Sequence, residues 1–216
     1  MQPVTHMDKS RMIGKGNSSR TRAVHGMSSA RPALFVLLAC LACQARDHNA
    51  LQFVIDVTHA RPHVEIASQA PFNVVDGLTV EAWVRLNAYA PGEFPPKWQA
   101  FVTKGEAWGL TRYSNTNRIA FRTKVGDAVH VLASTETHPL TPGEWHHLAA
   151  VWDGGTKAIY IDGRLDVSET WEGPTNSNAF PVIIGGNGEY PARVFEGDLD
   201  DVRVWNVPRT DTDIAA

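Results

Sequence analysis

Three carboxylates near the end of the chain have residue types and a spacing that suit chemistry. Glu196, Asp198 and Asp200 alternate along a β-type run, so their side chains are expected to project from one face of a strand. In retaining glycosidases two carboxyl groups about 5–5.5 Å apart act as acid and nucleophile. Residues two apart on a strand are about 6.6–6.8 Å apart at the backbone, a gap that side chains can close. Glu196 and Asp198 are therefore candidate catalytic residues.

The same region offers oxygen ligands for a hard cation. Asp198, Asp200 and the adjacent Asp201 carry carboxylates, and Ca²⁺ takes about 6–8 oxygen ligands, often including backbone carbonyls. The competing interpretation is that these acids only cap a solvated turn. Of the two chemistries, a structural calcium ion suits this string better than catalysis.

Aromatic residues in or beside loops form a second candidate set. Flat rings held in loops can stack on sugar rings, and neighbouring amides can hydrogen-bond to sugar hydroxyls. The set consists of Trp98, Trp108, Trp171 and Tyr190, with Asn176, Asn178 and Asn187 as hydrogen-bonding partners. The alternative is that these rings fold back onto the rim of the domain and serve packing alone.

A hairpin in the second half of the chain indicates the architecture that must position these residues. Two β-type runs, Trp145–Trp152 and residues 157–161, are separated by Asp153-Gly154-Gly155-Thr156. Such a turn between two runs is a strong hairpin signal, because glycine adopts positive φ without steric cost.

A strictly alternating run earlier in the chain defines a core face. In Leu78–Leu86 the apolar residues alternate with Thr79, Glu81, Trp83 and Arg85, the period of a strand that buries one face. Similar runs recur with regular turn signals and without a convincing amphipathic helix. About a dozen strands of this kind predict an all-β fold, an antiparallel sandwich of two sheets with recognition confined to its loops.

Charge and cysteine content exclude several classes of function. Residues 1–43 contain six Lys or Arg and one acidic residue, whereas residues 44–216 contain 14 Lys or Arg and 22 acidic residues. An acidic body is a poor nucleic-acid binder, because phosphate affinity rests on clustered cations. Both cysteines lie in the N-terminal segment, so the body contains neither a disulfide nor a thiolate metal site.

The N-terminal segment, residues 1–43, is predicted to be a targeting signal. Residues 33–43 form an apolar run of 11 residues, too short to span a bilayer and suited to the core of a secretory signal. Met27 offers a more compact start. The run ends in small residues followed by Cys40 and Cys43, which resembles a bacterial lipoprotein signal and makes either cysteine a lipidation candidate. The alternative is a plain signal peptide. Residues 44–49 are a polar linker.

The combined pattern resembles the laminin-G-like, concanavalin A-like jelly-roll domains. The resemblance lies in six stretches taken in order: Ala50-Leu51-Gln52-Phe53, Val64-Glu65-Ile66, Leu78–Leu86, the hairpin of residues 145–163, Ile183-Ile184-Gly185-Gly186 and residues 195–206 (FEGDLDDVRVWN). It covers residues 50–210 and leaves residues 211–216 as a C-terminal tail. In this family an aspartate at the position of Asp200 commonly binds structural calcium. The string also resembles the E-x-D-x-x-E of jelly-roll glucanases, in which the two glutamates act as nucleophile and acid/base, but its last acid is Asp200 and it lies in the final strand instead of mid-chain.

The sequence departs from the family near its start. Val54-Ile55 replace the usual Asp/Asn-Gly, and a long loop carries Asp56 and His59.

The resemblance implies an exported or lipid-anchored recognition module, without catalytic activity, that binds a glycan or a surface protein. The alternatives are a divergent glycoside hydrolase using Glu196 and Asp198, and a structural module of a larger assembly. Fold does not choose among them, and the oligomeric state stays open.

Overall fold

The computed structural model describes residues 50–54, 62–74, 76–87, 97–173 and 175–215. It contains two antiparallel sheets of six strands each, which confirms the predicted all-β jelly-roll sandwich. The predicted signal segment, the linker, Asp56 and His59 lie outside the described residues. Within the described part of the chain, no helix has the length and apolar character that crossing a membrane requires.

Three of the strands follow the runs named above to within one residue: Leu78–Leu86, Trp145–Trp152 and Thr156–Ile161. In chain order they are β1 (Leu51–Phe53), β2 (Val64–Ile66), β3 (Leu78–Leu86), β4 (Ala100–Lys104), β5 (Trp108–Arg112), β6 (Ile119–Val125), β7 (Ala128–Ala133), β8 (Trp145–Trp152), β9 (Thr156–Ile161), β10 (Arg164–Thr170), β11 (Val182–Ile184) and β12 (Gly197–Trp205). Sheet I has the order β1-β12-β3-β8-β9-β10, and sheet II has the order β2-β11-β4-β5-β6-β7. A 3-10 turn, Ala70–Phe72, precedes β3.

The core lies between the two sheets and uses the alternation seen in the sequence. The apolar residues of β3 face the interior together with partners from both sheets, among them Phe101, Leu110, Phe121 and Ile159. Fully burying a large apolar side chain contributes roughly 1.5–3 kcal/mol relative to exposure. This continuous apolar layer therefore holds the sheets together, while their outer faces are left for other interactions.

The central hairpin forms as predicted. Strands β8 and β9 pair without a break in register: Leu148 lies opposite Ile161 at one end, and Trp152 lies opposite Lys157 at the other. The Asp153 carboxylate accepts the backbone N–H groups of Gly155 (2.9 Å) and Thr156 (2.6 Å). Gly154 adopts φ +94°, in the region open to glycine. The turn residues thus fix the register of the two strands.

The predicted C-terminal tail is instead part of the domain. Helix α1 (Asp211–Ile214) begins at Thr210, whose hydroxyl accepts the N–H of Asp213 in a capping box. Ile214 is buried against four residues on the outer face of sheet I: Ala149, Val151, Ala158 and Tyr160. The boundary at residue 210 was wrong because a one-turn helix carries no periodic signal that the sequence could show.

Candidate functional site

The outer face of sheet II presents an arginine at its centre. Arg122 lies on β6 between two core residues, Phe121 and Thr123, so its side chain points away from the interior. In register it faces Gly109 of β5 on one side and Val131 of β7 on the other. The space above Gly109 is filled by the Thr103 side chain of β4.

Glu106, in the turn between β4 and β5, joins that arginine to a second one. Its Oε1 accepts from Arg122 Nη2 at 3.0 Å and from Arg193 Nη1 at 2.5 Å, and its Oε2 lies 3.3 Å from Arg122 Nη2. The residue is 5% exposed. A buried carboxylate needs such partners to offset its desolvation. Arg193 comes from the loop between β11 and β12, so this ion pair ties two loops to the sheet.

Two aromatic rings lie against the paired arginines. The Arg193 guanidinium carbon is 4.0 Å from the ring centre of Tyr190, and that of Arg122 is 4.8 Å from the ring centre of Trp98. Both distances fall within cation–π range. Tyr113 meets Trp98 edge-on at 5.3 Å. Tyr190 is 41% exposed, so the cluster offers an aromatic surface to solvent.

The backbone of Trp98 is held in an unusual conformation. Its φ is +61°, a region that bulky residues rarely occupy. The N–H of Trp98 donates to the carbonyl of Ser114 at 3.1 Å, and Ser114 itself has φ +53°. Strain of this kind persists only where surrounding contacts hold it, and it concentrates at functional sites.

Asn187 holds the loop that carries Tyr190. Its Oδ1 accepts the backbone N–H groups of Glu189 (2.9 Å) and Tyr190 (2.8 Å), and its Nδ2 donates to the carbonyl of Gly105 at 3.0 Å. Only 6% of the residue is exposed. The prediction that Asn187 contacts a sugar directly is therefore wrong, because its amide is already used to position the ring beside it.

We refer to these six residues together as the arginine–aromatic cluster: Arg122, Arg193, Glu106, Trp98, Tyr190 and Tyr113. Two of its aromatics were predicted as ligand residues. The two arginines, Glu106 and Tyr113 were missed. The sequence gives no signal for these four residues, because a Gly-Glu turn and isolated arginines occur without a distinctive spacing.

The other predicted ligand residues lie elsewhere. Trp108 is only 1% exposed, and its indole N–H donates to the carbonyl of Phe72 at 3.0 Å. It faces the core from β5, so the prediction that it stacks on a sugar was wrong. Asn176 caps the β6–β7 turn through both backbone groups of Gly126, so its amide is likewise used structurally. Trp171 stacks on the His130 ring, with ring centres 3.7 Å apart, on a different part of the domain.

Asn178 is also used inside the fold. Its Nδ2 donates to the carbonyl of Lys104 at 3.1 Å, and its Oδ1 accepts from the Lys104 ammonium at 3.2 Å. The buried Lys104 ammonium needs an oxygen acceptor such as Asn178 Oδ1, since desolvation lowers the pKa of that lysine. Asn178 therefore satisfies a buried cation instead of offering its amide to a ligand.

The predicted calcium ligands do not assemble into one site. Asp198 accepts from Arg85 Nε at 3.0 Å, and Asp201 pairs with Arg203. A bulge after Asp200 breaks the register of β12 with β3. Within the described ranges, no three His, Cys, Asp or Glu side chains are arranged to hold a metal ion. The prediction that these three aspartates together bind calcium is thus not supported by their geometry. That the protein binds a structural calcium ion stays a prediction, which calorimetric titration with Ca²⁺ tests.

The predicted catalytic pair, Glu196 and Asp198, lies at the start of β12. Asp198 and Asp200 do share the outer face of sheet I, since they lie opposite Arg85 and Trp83 of β3. Glu196 precedes the first residue of β12, Gly197. The Asp198 carboxylate is engaged by arginine and is largely buried. These contacts give Asp198 a role in joining β12 to β3.

Comparison with known proteins supports the fold. Residues 59–215 match the family model described as the concanavalin A-like lectin/glucanases superfamily. A search among curated proteins returned no match.

Several solved structures share the fold at low sequence identity. A proposed carbohydrate-binding protein from Bacteroides ovatus has a TM-score of 0.61 at 18% identity, over 77% of this chain and 45% of that chain. The binding domain of Paraclostridial Mosquitocidal Protein 1 has a TM-score of 0.62 at 13% identity, over 85% and 46%. This chain therefore spans less than half the length of either protein.

A third structure is of more similar length. The CBM40 of the Ruminococcus gnavus IT-sialidase, bound to α2,3-sialyllactose, has a TM-score of 0.57 at 12% identity, over 77% of this chain and 96% of that chain. Because the family model covers most of the sequence and the two six-stranded sheets agree with it, the chain belongs to the concanavalin A-like lectin/glucanase superfamily.

Proposed function

We propose that this protein is a non-catalytic recognition module that binds carbohydrate at the arginine–aromatic cluster. The observation that carries the proposal is the exposed Tyr190 ring, backed by the Arg193 guanidinium and joined through Glu106 to Arg122 and Trp98. Aromatic rings with nearby polar groups are a general means of binding sugars, because the ring contacts the apolar face of the sugar while the polar groups meet its hydroxyls.

The pre-organisation of the cluster supports this function. The Tyr190 loop is fixed by Asn187, the Trp98 backbone is fixed by Ser114, and both arginines are fixed by Glu106. A site held in this way loses little conformational entropy when a ligand binds. Two solved structures that share the fold are consistent with this function, since one is of a proposed carbohydrate-binding protein and the other has α2,3-sialyllactose bound.

The test is glycan binding by the full chain and by the Tyr190→Ala variant. A glycan array should identify ligands, and titration with one of them should show about a tenfold or greater loss of affinity in the variant, because truncating an aromatic residue at the centre of a binding site costs about 2 kcal/mol or more and about 1.4 kcal/mol corresponds to a tenfold change.

The matched control is Leu165→Ala. Leu165 is 52% exposed on β10 of sheet I, so its truncation removes exposed apolar surface away from the cluster and should leave glycan affinity unchanged. Equal binding by the wild type and the Tyr190→Ala variant, or no glycan binding at all, would contradict the proposal. Turnover of a glycan by the wild type would instead support the hydrolase alternative.

A further inference from the structure

We propose that the Arg122–Arg193 pair recognises the carboxylate of an acidic sugar. The inference rests on the proposed carbohydrate-binding function and specifies the class of ligand for the same site. A pyranose with a carboxylate on its ring combines an apolar ring face with a charged group one bond away. In the cluster the Arg193 guanidinium lies over one face of the Tyr190 ring, so that a cationic group and an aromatic surface are adjacent.

The charges within the cluster are not balanced. Two guanidinium groups share the single carboxylate of Glu106. The nearby Glu189 carboxylate accepts the backbone N–H of Glu106 at 2.9 Å, and within the described residues it forms no ion pair with either arginine. Arg122, Arg193 and Glu106 alone sum to one positive charge, and Glu189, the other nearby carboxylate in the described part of the chain, pairs with neither guanidinium, so a ligand carboxylate would give the two arginines a second ionic partner.

Burial makes that excess charge costly in the absence of a ligand. Arg122 is largely buried, and desolvation lowers the pKa of its guanidinium. The Glu106 carboxylate raises this pKa, whereas the positive charge of Arg193 lowers it further. A cation destabilised by burial and by a like charge gains most from an added anion, because electrostatic interactions are stronger where water is excluded.

Hydrogen-bond donors remain for the ligand. A guanidinium has five N–H donors in a planar fork suited to a carboxylate. In the described part of the chain, the hydrogen bonds of this pair use Nη2 of Arg122 and Nη1 of Arg193. Arg193 keeps 17% of its side chain exposed, so a ligand can approach part of this side chain.

The acidic body of the protein makes this preference informative. Residues 44–216 carry 22 acidic residues against 14 Lys or Arg, so the overall field repels anions. A preference for acidic over neutral sugars must then arise from a local site.

The experiment compares acidic and neutral ligands that differ by little else. The full chain is titrated with methyl β-D-glucuronide and methyl β-D-glucoside, and with α2,3-sialyllactose and its methyl ester, in which only the carboxylate is neutralised. We expect at least one acidic member to bind about tenfold or more tightly than its neutral partner, the difference typical of one charge-assisted hydrogen bond. The preference should weaken as salt is raised.

Two variants of Arg193 and a matched control locate the effect. Arg193→Gln should abolish the preference for the acidic member. Arg193→Lys keeps the charge but loses the planar fork, so it should retain part of the preference; it also provides a test if the glutamine variant does not fold. Arg203→Gln removes an arginine paired with Asp201 on sheet I and should leave the preference unchanged.

The outcomes separate this inference from the proposed function. Tyr190-dependent binding with equal affinity for acidic and neutral members would overturn the carboxylate site and leave carbohydrate binding intact. A preference for acidic members that survives in both Arg193 variants would also overturn it. Absence of any sugar binding would overturn both proposals.

Discussion

Lys157 shows at the scale of one residue how this fold tolerates an unbalanced charge. It lies on β9 and points between the two sheets, with its Nζ 3.2 Å from the carbonyl of Phe121 and 3.1 Å from His130 Nδ1. The Glu169 carboxylate contacts His130 at 3.3 Å. Burial lowers the pKa of Lys157 to about 8, although Glu169 opposes the shift. Burial and the neighbouring Lys157 also lower the pKa of His130.

The depressed pKa of Lys157 predicts a rise in stability in alkaline solution. Between pH 8 and 10 the unfolded chain still holds this proton while the folded protein releases it, so the free energy of unfolding increases with pH. Each unit of pKa shift corresponds to about 1.4 kcal/mol, which gives a rise of roughly 2–3 kcal/mol across this window. Urea denaturation at a series of pH values measures it.

Two variants separate this effect from other titrations. Lys157→Met replaces the buried ammonium with an apolar side chain and should reduce the rise between pH 8 and 10, while Lys104, whose pKa is also lowered by burial, keeps part of it. Lys97→Met, at an exposed lysine, should keep the slope of the wild type. A slope unaffected by Lys157→Met would show that other groups cause it.

Helix α1 shows at the scale of one element how a short segment covers an exposed sheet face. A single turn is too short to be stable alone, so its contacts must hold it. The Thr210 capping box satisfies its first N–H groups, Tyr160 donates to the Asp211 carboxylate at 2.6 Å, and Ile214 fills the cluster on the outer face of sheet I. The desolvated hydroxyl and its acidic partner raise the pKa of Tyr160 to about 12.

Removing either anchor of α1 should destabilise the protein. Ile214→Ala leaves a gap over β8 and β9 and should lower the free energy of unfolding by about 2 kcal/mol, at the lower end of such core truncations. Thr210→Ala removes the cap and should cost about 1 kcal/mol.

Chemical denaturation compares both variants with Val207→Ala, at an exposed residue before the helix, which should change stability by less than about 0.5 kcal/mol. Loss of equal size in all three variants would mean that α1 contributes little of its own.

At the scale of the whole molecule, the sheets were predictable and the site was not. Alternation in Leu78–Leu86 and the Asp153–Thr156 turn depend on neighbours in sequence, and both appear in the structure as expected. The arginine–aromatic cluster depends instead on strand order. Glu106 and Arg193 are 87 residues apart and meet only because β11 pairs with β4. No local pattern encodes that pairing.

Other misassigned residues have the same cause. Trp108 and Asn187 have types that suit a sugar site, and their positions near turns are equally compatible with one. Their burial follows from packing against Phe72 and Gly105, which are distant in sequence. Residue type therefore indicated suitable chemistry, and tertiary contacts decided which residues remain available for it.

We propose, also at this scale, that residues 1–43 direct export and that Cys40 or Cys43 is lipidated. The full-length chain produced in a bacterium that processes lipoproteins should begin at one of these cysteines and carry attached lipid, as intact mass spectrometry would show. Cys40→Ala and Cys43→Ala should differ, with only one of them abolishing the modification. Peptides from residues 1–26 in the native protein would contradict a start at Met27, and an unmodified, uncleaved chain would contradict export by this route.

The placement of the two ends of the described domain has a practical consequence. Leu51 pairs at the edge of sheet I, and Ile214 packs on the outer face of that sheet, whereas Trp98 and Tyr190 lie over sheet II with the arginines. A biosensor chip, a bead or a fluorescent fusion partner joined at either end of the described domain would lie on the side of sheet I, opposite the arginine–aromatic cluster. The aromatic surface would then point outward, so immobilised protein should retain the ligand affinity that it has in solution.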